Sequence, residues 1–442
     1  MSHALLATPL SRRSALRGTA MFGAGAAAMG LPFGQAAFAQ AAQNWPELAR
    51  WIDTYVRGGQ VANMIAAVGR QQEAPDYVAR GPRAFGQPGV VDQDTIYRIY
   101  SMTKPVTGIA TMMLVEDGLI TLDTPLADII PAFANMQVQR QYDGPITRDN
   151  LEPAERQITI RHLLTHTAGL GYNVVQQGPI QREYMRLGLA PGQVSNLELA
   201  RAFFDVDMAP SLAEFAERLA TLPLVLQPGR RWSYSVSLDL LGYVIELVSG
   251  QSFASFLQER IFTPCGMSDT GFRVPRADVS RLTTNYFLMG GMPLPLDPAS
   301  QSVYLQEPVF HYGGAGLVST ARDYDRFLKM LVGRGVIEGT RVMEAETVRI
   351  ATGNLFPDTL VSGGEFTTEG NRYGFGAGGL VGTGESAGLF GWAGAAGTVG
   401  MVHTGLELRM TLMTQYMPAE SLQVQAQFPR IVLQDWTAMA AS

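Results

Sequence analysis

Runs that read as β-strands fall near the two ends of this chain, and the long middle reads mostly as helix. Residues 61–68 and 77–79 are short apolar or aromatic runs of strand type, and comparable runs return at residues 373–381, 397–403 and 406–413. From residue 127 to about 301 the apolar spacing is mostly helical, with long connections. Strands at both ends with helices between them imply one sheet built from both termini and a helical part inserted in the middle, an α+β arrangement. Leu48, Trp51, Ile52, Tyr55 and Val56 mark a first helix ended by Gly58-Gly59. Ser211 and Glu214 form a capping box, and Leu238, Leu241, Ile245 and Val248 make a stripe that stops at Gly250. A helix around Tyr324, Phe327, Leu328 and Leu331 follows Gly313-Gly314, and the last helix is expected to break at Pro429.

The 442 residues predict two or three domain-sized units with ample core. Residues 1–39 hold three arginines and no acid, so without them the formal net charge of −6 becomes −9. A body that acidic has no electrostatic reason to seek nucleic acid or an anionic membrane. Arg12-Arg13 precede an Ala/Gly-rich apolar run that ends in Ala37-Phe38-Ala39, the pattern of a cleavable export signal. Paired arginines before a weakly apolar run resemble the twin-arginine class, although Ala15 stands where phenylalanine is usual. The expected compartment is therefore periplasmic or extracellular, and no other apolar stretch has the length to span a bilayer. Cys265 is the only cysteine, which excludes an internal disulfide and a cysteine-rich metal site.

Lysine is nearly absent. Lys104 and Lys329 are the only two among 33 Lys and Arg residues. Arginine keeps its proton near neutral pH, whereas a buried lysine can act as a base. Lys104 stands three residues after Ser101, and Val106, Ile109, Ala110, Met113 and Leu114 then follow at the spacing of one helical face. Ser101 thus sits at the mouth of a helix with Lys104 one turn on, on the same side. The alternative is a capping serine beside a solvated lysine.

Two more segments bear chemistry. Tyr234 lies in Gln227-Pro228-Gly229-Arg230-Arg231-Trp232-Ser233-Tyr234-Ser235, a loop between helices that can hold a phenol rigidly as a proton acceptor for Ser101; a core tyrosine is the competing reading. Residues 391–398, which include Trp392, Gly394 and Ala395, are rich in small residues and fall between predicted strands. Small residues there let a ligand approach the backbone, and an N–H at a strand edge can serve half of an oxyanion hole.

Taken in order, Ser101-Met102-Thr103-Lys104, Tyr234 and Trp392-Ala393-Gly394 resemble the serine β-lactamase-like superfamily, in its class C β-lactamase and family VIII carboxylesterase branch. Residues 160–170, 264–270 and 314–320 add to the likeness, which runs from about residue 50 to 415. The resemblance implies a β-lactamase/transpeptidase-like fold, with an antiparallel sheet from both termini flanked by helices plus an inserted mostly helical domain. The expected division is 1–39 as signal, 40–100 with 302–442 as the sheet domain, and 101–301 as the helical domain, the site lying between the last two. It further implies that Ser101 attacks an acyl carbonyl while Lys104 and Tyr234 handle its proton, and that the Ser101 and Ala395 N–H groups hold the oxyanion. No metal or organic cofactor is implied.

Two departures from the family pattern point to the substrate. Val236 stands where the lactamases have an asparagine amide, and Trp392 where they have a lysine that meets a carboxylate. Losing both polar groups favours neutral carboxylic esters over β-lactams or cell-wall peptides; a β-lactamase, D,D-peptidase or amidase is the alternative, and a binding protein that kept the fold is a third. His311, beside a glycine-rich turn, is expected to line the substrate cleft. Gly384-Glu385-Ser386-Ala387-Gly388 imitates a nucleophile elbow but lacks a following helix. His162 and His166 are four apart with no glutamate suited to a metal site between them, and Cys265 reads as a buried spectator.

Overall fold

The computed structural model describes residues 40–198, 207–361 and 373–441. The segment 1–39, with its expected export signal, lies outside the described residues.

Seven strands form one antiparallel sheet. Its members are β1 (Met64–Arg70), β2 (Asp76–Arg80), β7 (Tyr373–Phe375), β8 (Leu380–Gly382), β9 (Leu389–Ala393), β10 (Val399–His403) and β11 (Leu408–Met413), in the order β7-β8-β9-β10-β11-β1-β2. The two ends of the chain meet where β1 pairs with β11, Ile65 opposite Met413 and Val68 opposite Met410. Strand alternation assigns each face of β1 to a different core. Met64, Ala66 and Val68 join a cluster with Leu48 and Ile52 of α1 (Pro46–Arg57) and Phe428 and Val432 of the terminal helix (Val424–Ala441). Ile65 and Ala67 face the larger cluster shared with the helical body. With both faces covered, the sheet is the middle of three layers.

The helical body centres on α2 (Thr103–Glu116) packed against α4 (Ser237–Ser249), with α3 (Leu212–Ala220) alongside α4. The stripe of α2 foreseen from spacing is buried, but so is every residue from Thr103 to Leu114, so α2 is a central helix rather than an amphipathic one. Helix α5 (Ala321–Val332) lies across the sheet, where Arg409 of β11 pairs in full burial with Asp325. Among the described residues no single helix is long and apolar enough to cross a membrane.

Three expectations need correction. The region read as helical to residue 301 contains a hairpin, β4 (Asn285–Met289) and β5 (Met292–Asp297), turned by Gly290-Gly291, both at positive φ. Residues 391–393, expected to fall between strands, belong to β9 (Leu389–Ala393), a full member of the sheet. The terminal helix runs through Pro429, because Val424, Phe428 and Val432 are wholly buried and hold it on the sheet despite one missing N–H.

Candidate active site

Ser101 is delivered by a strand that a buried ion pair fixes in place. Strand β3 (Ile96–Arg98) pairs with β6 (Val318–Thr320). Arg98 is wholly buried and its Nε donates to Asp297 Oδ2 at 2.6 Å; the guanidinium also donates to Thr283 O at 2.8 Å and Ser302 Oγ at 3.0 Å. Tyr100 then takes φ +40°, a left-handed value that side chains disfavour, and turns the chain into a short 3-10 segment holding Ser101.

Lys104 lies one turn on with no solvent exposure. Its ammonium donates to Ser101 Oγ at 3.2 Å and to Gly314 O at 2.7 Å. It also stands 4.5 Å from the centre of the Tyr234 ring and 5.9 Å from that of Tyr172. The Tyr234 hydroxyl donates to Ser101 Oγ at 2.7 Å. Trp392 in β9 donates its indole N–H to the Tyr234 oxygen at 3.4 Å, with ring centroids 5.8 Å apart. A serine oxygen within hydrogen-bond reach of both an amine and a phenol can pass its proton to whichever of the two is without its own as it attacks an electrophile.

His166 places Tyr234. Its carbonyl accepts from Ser233 N–H at 3.0 Å and its Nδ1 from Ser235 N–H at 3.2 Å, so both neighbours of Tyr234 hang from one residue. Burial, and then the Lys104 charge, hold the His166 imidazole well below its ordinary pKa. It stays neutral, with Nδ1 able to accept. His162, four residues earlier, closes a capping box with Thr159 on a separate helix turn. Among the described residues no three His, Cys, Asp or Glu gather as a metal cluster.

The turn after β9 comes against the Ser101 turn. A Cβ on Gly394 would lie 2.3 Å from Ile99 O, so only glycine permits that approach. Neither the Ser101 nor the Ala395 N–H is taken by a backbone carbonyl among the described residues. Val236 precedes α4 and is fully buried, so its side chain gives a ligand no surface. His311 interacts with Glu307 at 3.0 Å and packs on Phe272, with rings 4.6 Å apart. Ser386 sits in a 3-10 turn between β8 and β9, and a strand follows it, not the helix an elbow requires. Cys265 is buried, which pushes its thiol up to about 12.

Asp239 is the group that sequence reading passed over. It is buried in the first turn of α4, and its Oδ1 accepts from Gly314 N–H at 2.8 Å. Burial pushes its carboxyl up to about 6, against the opposing pull of Lys104 and the Gly314 N–H. An acid between Leu238 and Leu240 in an otherwise apolar turn was the available signal.

The sequence profile of the Beta-lactamase family matches residues 48–434. Protein Rv1367c of Mycobacterium tuberculosis (strain ATCC 25618 / H37Rv) is 34% identical over 355 residues, 76% of this chain and 81% of that one. Esterase EstB of Burkholderia gladioli is 30% identical over 395 residues, 82% of this chain and 88% of that one. Among solved structures, EstCE1, described as a hydrolase with promiscuous acyltransferase activity, matches with a TM-score of 0.70 at 22% identity, over 90% of this chain and 99% of that chain. A profile match over most of the length, on a β-lactamase/transpeptidase-like α+β fold, places this chain in the Beta-lactamase family, within the serine β-lactamase-like superfamily.

Proposed function

We propose that this protein hydrolyses carboxylic esters of small or medium acyl groups through an acyl-enzyme on Ser101. The observation that carries the reading is the Ser101 oxygen held at 2.7 Å from the Tyr234 hydroxyl and 3.2 Å from the Lys104 ammonium. In the first step, with the Tyr234–Lys104 pair already one proton short, Ser101 Oγ bonds to the ester carbonyl carbon and its proton passes to that pair; the C–O bond to the alcohol then breaks and the departing oxygen takes the proton back. The Ser101 and Ala395 N–H groups receive the oxyanion, each donor lowering the barrier by about 3 kcal/mol. Water then gives a proton to the Tyr234 oxygen and attacks the acyl carbon; the bond from that carbon to Ser101 Oγ breaks, and Tyr234 returns the proton to Oγ as the carboxylic acid leaves. Trp392 assists by donating its N–H to the Tyr234 oxygen, which favours that oxygen as it gains negative charge.

Esters are preferred over β-lactams because Trp392 and Val236 occupy positions where lactamases carry a cation and an amide. Similarity to an esterase, EstB, over 82% of this chain supports the same choice. The test is paired initial rates on p-nitrophenyl butyrate and a chromogenic cephalosporin, with Ser101→Ala as the blank. Ester turnover at least about 10³-fold above the blank, with little cephalosporin turnover, is expected. Turnover that survives Ser101→Ala, or a clear excess of cephalosporin hydrolysis, would sink the reading.

A further inference from the structure

The Gly313-Gly314 segment is gripped from two helices. From α2, Thr107 Oγ1 donates to Gly313 O at 2.6 Å and Lys104 Nζ to Gly314 O at 2.7 Å. From α4, Asp239 Oδ1 accepts from Gly314 N–H at 2.8 Å. A Cβ on Gly313 would lie 2.3 Å from Leu238 O, and one on Gly314 would lie 2.5 Å from Asp239 Oδ2. Side chains at either position would push α4 away. The two glycines therefore bring a buried carboxylate up to the N–H of the residue whose carbonyl receives the lysine. Asp239 Oδ2 is buried and meets no donor among the described residues. A buried carboxylate with one oxygen lacking a donor is costly, and an asparagine would fill the same space without the cost of the buried charge.

Resting on the esterase reading, we propose that Asp239 is a positioning residue: by holding the backbone of Gly314 it fixes Lys104 against Ser101, and its charge is the buried counter-ion of Lys104. Gly314 N–H points to the carboxylate and Gly314 O to the ammonium, so the backbone of this one residue, through two successive peptide units, bridges the opposite charges. The other titratable groups that feel this carboxylate are two phenols, Tyr172 from the loop after residue 171 and Tyr312 from the loop before Gly313. Burial raises both, and the Asp239 charge raises them further, so neither competes with Lys104 as its partner. Lys104 is the cation whose charge acts on Asp239. The burial that pushes the Asp239 carboxyl up to about 6 puts its loss of charge in a range where activity can be followed.

Asp239→Asn keeps the shape and the acceptor for Gly314 N–H but removes the charge. On p-nitrophenyl butyrate its kcat should fall about 10- to 100-fold with KM changed less than about twofold, in keeping with loss of one charge-assisted contact. The acid limb of the wild-type kcat/KM–pH profile, centred near 6, should flatten. Thermal stability should not fall, which separates this from a merely structural role. Gly314→Ala is the second variant: it leaves the acid in place but displaces it, and should lower kcat in the same way. Wild-type kcat in either folded variant, or an unchanged acid limb in Asp239→Asn, overturns the proposal. Ser101→Ala runs alongside. A dead Ser101→Ala with a fully active Asp239→Asn overturns this inference alone, whereas an active Ser101→Ala overturns the esterase reading and this inference with it.

Discussion

Tyr234 illustrates how much of a site a sequence can show residue by residue, and where it stops. Ser101 and Lys104 are one helical turn apart, so their meeting follows from spacing, and the structure adds only the distance of 3.2 Å. Tyr234 is 133 residues from Ser101, and its arrival depends on His166, whose backbone and ring take the N–H groups on either side of it. No local pattern displays that dependence. Trp392 was legible as a departure from a family pattern but not as a hydrogen-bond donor, because the indole N–H reaches Tyr234 only after β9 joins the sheet. Trp392→Phe keeps the ring and loses the donor. Its kcat on p-nitrophenyl butyrate should drop about 2- to 10-fold, the equivalent of one neutral hydrogen bond of about 0.5–1.5 kcal/mol, with little change in melting temperature. An unchanged kcat would reduce Trp392 to a packing residue.

Among the elements, long helices with clear stops were the most readable, as in α4 with Gly250 at φ +70°. The sheet was readable in outline, from strands near both termini, but β9 was hidden because Gly391 and Gly394 look like turn residues. Gly391 is in the strand because a Cβ there would meet Gly400 O of β10 at 2.1 Å; its smallness serves close strand contact. Strand β3 is three residues long and has no periodicity to read. Its anchor, the Arg98–Asp297 pair, joins residues 199 apart and emerges only on folding. Arg98→Met removes one partner and leaves a buried carboxylate, which should lower unfolding free energy by about 3–5 kcal/mol in urea titration. Because β3 leads directly into the Ser101 turn, turnover in the remaining folded fraction should fall as well. A loss under about 1 kcal/mol would show that Asp297 finds other donors.

Across the whole molecule, acid affects stability through opposing groups. Asp239 has its carboxyl raised from 3.8 to about 6, so the folded state takes its proton first; this contribution is fully present below about pH 4 and is lost as pH rises through about 6. It is worth roughly 3 kcal/mol, at 1.36 kcal/mol per unit. His162, lowered to about 4, and His166 and His403, also lowered by burial, act in the reverse sense: their contribution is present above about pH 6.5 and is lost as pH falls. Asp239→Asn removes one member of the raised group, leaving Asp143, Asp323 and Asp435, which burial also raises. Its melting temperature at pH 7.5 should match or exceed that of wild type, and should then fall more steeply between pH 7 and 5, as read by calorimetry across that range. Parallel curves for the two proteins would show that Asp239 titrates the same way folded and unfolded.

The pairing of β1 with β11 joins residues near 65 to residues near 413, and β9 carries Trp392 into the site from the same late part of the chain. The site is thus assembled in instalments: a serine and lysine near residue 100, a phenol at 234 and an indole at 392. A growing or clipped chain holds Ser101 and Lys104 long before it holds the Tyr234 and Trp392 that complete their contacts. Hydrolysis should switch on as one event when the closing strands dock, so turnover counts finished molecules and nothing less.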